Sequence, residues 1–293
     1  MARPAKVEIF QRIPAKLGEG PCWHPQRRTL WWIDIDGKKY FEAKLDGTPA
    51  RAMASEQAIG AVAPTRAGGL IAALHRGIFL VDPDTGATSP FAEAPRHDAR
   101  NFRFNDGKVD PRGRFWAGTT SLDDRRGESR LYRITAEGVA TAMHEGVSIS
   151  NGLAWTPDGG TLYYIDSPTR TVQEFSYDLE HGTIGAPRVA IALGEADGWP
   201  DGCCMDAEGF LWVAHWGAAK VTRWDARAGR LLETVSVPVR NVTSCAFAGP
   251  KLDQLFITTA QDSPQSPPEP EAGYVFRFEP ATTGLPVAAF GGE

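Results

Sequence analysis

Nothing in this sequence reads as a membrane anchor, a nucleic-acid arm, a disulfide framework or a zinc motif. No apolar run is long enough to span a bilayer. The opening Met-Ala-Arg-Pro-Ala-Lys passes into the alternating segment Lys6 to Phe10 without a stretch of signal-peptide length. The expectation is a cytoplasmic protein with no membrane partner. The 31 basic residues form no Lys/Arg run and the formal net charge is -5, which argues against nucleic acid and leaves a small neutral or anionic ligand. Cys22, Cys203, Cys204 and Cys245 include no Cys-x-x-Cys pair and two of them are adjacent, so they read as buried, reduced thiols. The six histidines lack His-x-His and His-Glu-x-x-His spacing, which leaves a zincin-type site without ligands. No segment carries a convincing amphipathic helical pattern.

What is present is a repeat. Six segments place a turn rich in Pro, Asp and Gly before a short aromatic or β-branched strand: His24 to Ile35, Pro64 to Leu74, Asp110 to Gly118, Pro157 to Asp166, Asp206 to Ala214, and Gly249 to Thr259. Aligned on Trp31, Ile71, Trp116, Tyr163, Trp212 and Phe256, they recur at 40, 45, 47, 49 and 44 residues. That period is one four-stranded propeller blade, whereas a pair of β-sandwiches needs no such period. The expected fold is all-β: a six-bladed β-propeller formed as one domain by residues 1–293. Its ring is closed by pairing a strand near Val7 to Ile13 with strands at Tyr274 to Phe278 and Val287 to Phe290. The Pro-rich stretch Ser263 to Glu271 reads as a solvated connection, and Asp123 to Glu128 as a solvated loop or the edge of a pocket.

Rotation about a propeller axis makes equivalent residues of the innermost strands face one another. Eleven or twelve residues before each anchor lie Glu19, Gly60, Asn105, Asn151, Asp201 and Ser244. Each of the Asn-Gly and Asp-Gly steps, taken alone, reads as a turn. Taken together, converging carboxylates and amides in a channel call for a cation or ordered water to satisfy them. All the donors are hard oxygens, which suits Ca²⁺, Mg²⁺ or Mn²⁺ better than a structural zinc, and three side-chain ligands leave positions open for water and catalysis.

Four motifs carry a resemblance across essentially the whole chain. They are Leu17-Gly-Glu-Gly-Pro21 with Trp23, Arg103-Phe-Asn-Asp-Gly-Lys108 with Asp110, Ser150-Asn-Gly-Leu153 with Pro157-Asp-Gly159, and Pro200-Asp-Gly202 with Asp206. In these the sequence resembles the senescence-marker-protein/gluconolactonase/luciferin-regenerating-enzyme family. The resemblance implies a metal-dependent sugar lactonase with one divalent ion on Glu19, Asn151 and Asp201, Ca²⁺ first and Zn²⁺ or Mn²⁺ as alternatives. It further implies that Arg103 and Asn105 bind substrate. An acidic residue after a Gly-Thr step lines the pocket in related proteins, and the imperfectly matching stretch Gly118-Thr-Thr-Ser-Leu-Asp123 offers Asp123. Asp201 is the expected general base, a small sugar lactone the expected partner, and a monomer or weak homodimer the expected state. The alternatives are a calcium-binding propeller without catalysis and a hydrolase of other esters or organophosphates.

Overall fold

A computed structural model describes residues 7–261 and 269–292. The described residues contain no α-helix, and their strands form six antiparallel sheets. The innermost strands are Gly18–His24, Ile59–Pro64, Phe102–Val109, Ser150–Trp155, Trp199–Met205 and Val242–Ala248. Each packs against the innermost strands of the two flanking sheets in a closed cycle, so the six sheets are the blades of a propeller around one axis. The last blade takes its outermost strand from the start of the chain: Glu8–Gln11 pairs antiparallel with Val275–Phe278. The ring is thus closed as expected, by the two ends of the chain.

In the third and fifth blades the repeated turn is built around a buried carboxylate. In the third blade Asp110 accepts the backbone N–H groups of Arg112 and Arg114 and, at 3.0 Å, the indole N–H of Trp116. Asp206 does the same in the fifth blade for Glu208, Phe210 and Trp212, and it also receives Arg223 Nε at 2.8 Å. Gly113 and Gly209 lie within these turns at φ 84° and 83°, where a side chain would be strained. One carboxylate therefore sets both the turn and the rotamer of the large aromatic behind it. Trp31, Trp116 and Trp212 are fully buried between blades. Replacing Asp206 by Ala strands two amides, an indole N–H and a guanidinium. We expect unfolding in urea to become easier by about 3–5 kcal/mol, with the midpoint falling and the slope unchanged.

The expected strand Val287 to Phe290 is not part of a ladder. Phe290 makes a lone parallel bridge to Thr65, and residues 284–290 instead form a strap across one mouth of the axial channel. Bonds from Gly284 N to Leu252 O and from Phe290 N to Pro64 O tie it to the sixth and second blades. The small pair Ala288-Ala289 and an exposed Pro286 offer no alternating face to pair with a sheet edge. Within the stretch Ser263 to Glu271, residues 263–268 lie outside the described residues. Glu269 binds Arg240 through both its backbone N–H and its guanidinium. Asp123 to Glu128 is exposed throughout.

Candidate metal centre

Every innermost strand breaks register with its neighbour at the same height. The irregularities fall between Glu19 and Cys22, Ile59 and Ala61, Phe104 and Asp106, Ser150 and Leu153, Pro200 and Cys203, and Val242 and Ser244. A bulge re-aims the side chain at the extra residue, and six of them at one level aim six positions at the axis. The residues placed there are Glu19, Gly60, Asn105, Asn151 and Asp201, as the repeat predicts. In the sixth blade the residue is Thr243 rather than Ser244. The turn between the paired residues Phe247 and Leu255 is longer than the one between Met205 and Leu211, so counting back from Phe256 stops one residue late.

The Asn-Gly and Asp-Gly steps are strand bulges, not turns. Gly152 and Gly202 do not occupy the left-handed region; their smallness serves close packing. A Cβ on Gly152 would stand 2.7 Å from Asp201 O, and one on Gly202 2.1 Å from Ser244 Oγ.

A directional chain of hydrogen bonds crosses three blades along the ring. Arg103 Nη1 donates to Asn105 Oδ1 at 2.6 Å, Asn105 Nδ2 to Asn151 Oδ1 at 3.0 Å, and Asn151 Nδ2 to Ser167 Oγ at 2.7 Å. Ser167 Oγ then donates to Pro200 O at 2.6 Å, on the residue before Asp201. Asn105 Nδ2 also donates to Ser150 O, and Thr243 Oγ1 donates to the matching carbonyl of Gly18, beside Glu19. Such a chain fixes both amide orientations and holds one lone pair of each amide oxygen. Behind the ring, Asp34 accepts the N–H groups of Lys16 and Leu17, which lead into Glu19. Asp166 does the same for Ser148 and Ile149 before Asn151. In the fifth blade His215 Nδ1 bonds the carbonyl of Asp197, ahead of Asp201, while its Nε2 meets Thr222 Oγ1. The carbonyl can only accept, so Nδ1 carries the proton. Burial first, with Lys220 adding to it, takes this imidazole down to about pKa 4, so it is neutral at physiological pH.

The electrostatics of the ring are those of surplus negative charge. Glu19 is buried and pushed up to about pKa 8, by desolvation first and then by Asp106, against the Gly20 N–H and Arg103. Asp201 is raised well above the ordinary carboxylate range by burial, then by Glu19 and Asp106, with only the Gly202 N–H acting against them. Asp106 itself reaches about pKa 6 through burial, opposed by Lys108 and the Gly107 N–H. It sits one residue beyond Asn105, at the level occupied in the other blades by Gly20, Ala61, Gly152, Gly202 and Ser244. The sequence hides it because Asn-Asp-Gly resembles a turn; comparing that single level across blades would have exposed it as the one long side chain. Among the described residues no three of His, Cys, Asp and Glu converge on one point, and the oxygen-bearing side chains at the level of the ring are those of Glu19, Asn105, Asn151, Asp201 and Thr243.

Arg103 and Asn105 are brought together, on the side of the ring where the innermost strands begin. Asp123 is not in contact with them: its carboxylate accepts Ser121 Oγ at 2.6 Å and Arg125 Nε at 2.8 Å on the rim, half exposed. The four cysteines are free thiols, three of them buried, as expected, and desolvation pushes the half-buried Cys22 up to about pKa 12. No helix of the described residues is long and apolar enough to cross a membrane.

Residues 17–261 match the SMP-30/Gluconolactonase/LRE-like region. Regucalcin of Danio rerio is 36% identical over 287 residues, covering 96% of this chain and 95% of that protein. A Bacillus subtilis protein, YvrE, named as a candidate sugar lactone lactonase, is 33% identical over 282 residues, covering 95% of this chain and 96% of that one. Among solved structures, a calcium-binding regucalcin from Agrobacterium tumefaciens superposes with a TM-score of 0.90 at 28% identity, covering 96% of each chain. The bulged ring, its four motifs and these matches lead to one statement: this chain belongs to the SMP-30/gluconolactonase/LRE-like family.

Proposed function

We propose that this chain is a lactonase that hydrolyses a sugar lactone to its aldonic acid and holds one divalent cation, Ca²⁺ first, on Glu19, Asn151 and Asp201. The observation that carries this reading is the buried pair Glu19 and Asp201. Two desolvated carboxylates act on one another; among the described residues no cation bears on Asp201, and Arg103 is the weakest of the influences on Glu19. A divalent ion with oxygen ligands fits that charge and that chemistry. When bound, it offsets both carboxylates and supplies a Lewis acid for the lactone carbonyl. The names of the relatives, one a calcium-binding protein and one a lactonase, support the same combination.

The residues of the chain then divide the work. Asp201, anchored through its neighbour Pro200 to the end of the hydrogen-bond chain, takes a proton from the attacking water. The water oxygen forms a bond to the lactone carbonyl carbon, the ring C–O bond breaks, and the proton passes to the departing ring oxygen, leaving an open-chain hydroxy acid. Arg103, two residues before Asn105 on one strand, presents its remaining N–H groups to the hydroxyls of the sugar, and Asn105, both of whose amide hydrogens are held by Ser150 O and Asn151 Oδ1, offers the second lone pair of its Oδ1 as a fixed acceptor. Asp123 would meet a hydroxyl at the rim.

The test is acid release from a panel of pentono- and hexonolactones by metal-stripped protein, restoring Ca²⁺, Mn²⁺, Zn²⁺ or Mg²⁺ singly. We expect stripped protein to be inactive and Ca²⁺ to restore turnover. Equal rates with and without metal would overturn the metal assignment. Tight Ca²⁺ binding with no turnover on any lactone would leave a calcium-binding propeller without catalysis.

A further inference from the structure

We propose that the other half of the axial channel is a second small-molecule site, suited to a neutral, flat aromatic compound that carries a carbonyl acceptor. Along each innermost strand, the residues after the bulge line a cavity of about 480 Å³, within the range of small-molecule sites. It begins beneath the ring at Gly20, Asp106 and Ser244 and ends on the strap residues Leu285 to Ala288. Arg103 lies at the opposite end of its strand, before the bulge, so the cavity and the mouth used by a lactone are on different sides of the ring.

The wall chemistry defines the ligand. Trp23, Trp155, Met205 and Phe247 supply flat or polarisable apolar surface, and proline, alanine, valine and cysteine fill most of the remainder. Water in such a space would need two to four polar partners, which this wall offers at few points. Asp106 and Lys108 project to the same face of one strand with opposite charge, and Lys108 Nζ is already committed at 2.6 Å to Cys203 O. Their charges cancel toward an ion of either sign, which argues against a charged ligand. Donors are nevertheless at hand. Lys108 Nζ has two hydrogens beyond the one given to Cys203 O. A carbonyl oxygen on an otherwise apolar ring satisfies what the wall leaves unpaired.

The strap closes the far end. It is pinned by Ala207 N to Thr283 O and Gly284 N to Leu252 O at one end. At the other, the pins are Phe290 N to Pro64 O and Arg66 N to Phe290 O. A long alkyl chain would have to run through this floor, so the ligand is compact.

The probe is the neutral naphthyl ketone dye 6-propionyl-2-dimethylaminonaphthalene, titrated into the full chain and followed by its emission. We expect saturable 1:1 binding with a blue shift, undiminished by excess sugar lactone or by Ca²⁺. Ala63→Phe, which fills the cavity from the second blade, and Val287→Trp, on the strap, should each weaken binding by about tenfold or more. Val287 is half-buried on the strap, so that variant keeps the test valid even where Ala63→Phe fails to fold. Non-saturable dye uptake, displacement by lactone, or equal affinity in a folded variant would each overturn the proposal. The readout requires no lactonase activity, so it stands or falls independently of the function proposed for the ring.

Discussion

Asp201→Asn should lower kcat for lactone opening by about 10²–10⁴-fold even at saturating Ca²⁺. The substitution keeps the shape and one ligating oxygen but removes the basic site and one negative charge. Two causes of lost activity are therefore mixed in it, and Glu19→Gln separates them. Both variants remove a single charge from the same buried field, since Glu19 and Asp201 act on one another. Both should bind Ca²⁺ more weakly by calorimetry. If Asp201 is the base, saturating Ca²⁺ rescues Glu19→Gln and leaves Asp201→Asn inactive. Recovery of both variants at high Ca²⁺ would reduce Asp201 to a ligand.

The height of the ring is legible in the sequence because every blade carries its bulge at nearly the same distance from a buried strand residue, aromatic in five blades and Ile71 in the second. That distance is held by the turn carboxylates, Asp110 under Trp116 and Asp206 under Trp212. Where a turn lengthens, as between Phe247 and Leu255, the count slips by one residue and Ser244 is named in place of Thr243. The groups that support the ring are harder to see. Asp34, Asp166 and His215 occupy equivalent places and hold equivalent loops, but they are different residue types and appear in sequence only as strand ends. Asp106 is masked by its neighbours Asn105 and Gly107. The strap is missed for another reason: Val287 to Phe290 reads as a strand in the sequence, and only the geometry of the channel mouth assigns it to cover rather than pair.

The same surplus charge predicts that the metal-free protein loses stability as pH rises. Glu19 titrates near 4.5 when exposed and about 8 when folded, so between those values the native state binds the proton and the unfolded state does not. Stability is fully present below the lower value and is lost as pH rises through the higher one. Asp106 adds to the loss between 3.8 and about 6. Because both groups are buried, the cost is on the order of several kcal/mol, and the thermal midpoint of stripped protein should fall steadily from mildly acidic to mildly alkaline buffer. Glu19→Gln should flatten that fall and leave the stripped variant more stable than the parent at the alkaline end. A cation held by Glu19 and Asp201 must displace the same protons. Calcium binding near neutral pH should therefore release protons, seen as a binding enthalpy that varies with the ionisation enthalpy of the buffer, and the thermal shift caused by Ca²⁺ should grow with pH. A calcium shift independent of pH, or binding with no proton release, would place the ion away from these two carboxylates and detach the charge of the ring from its proposed chemistry.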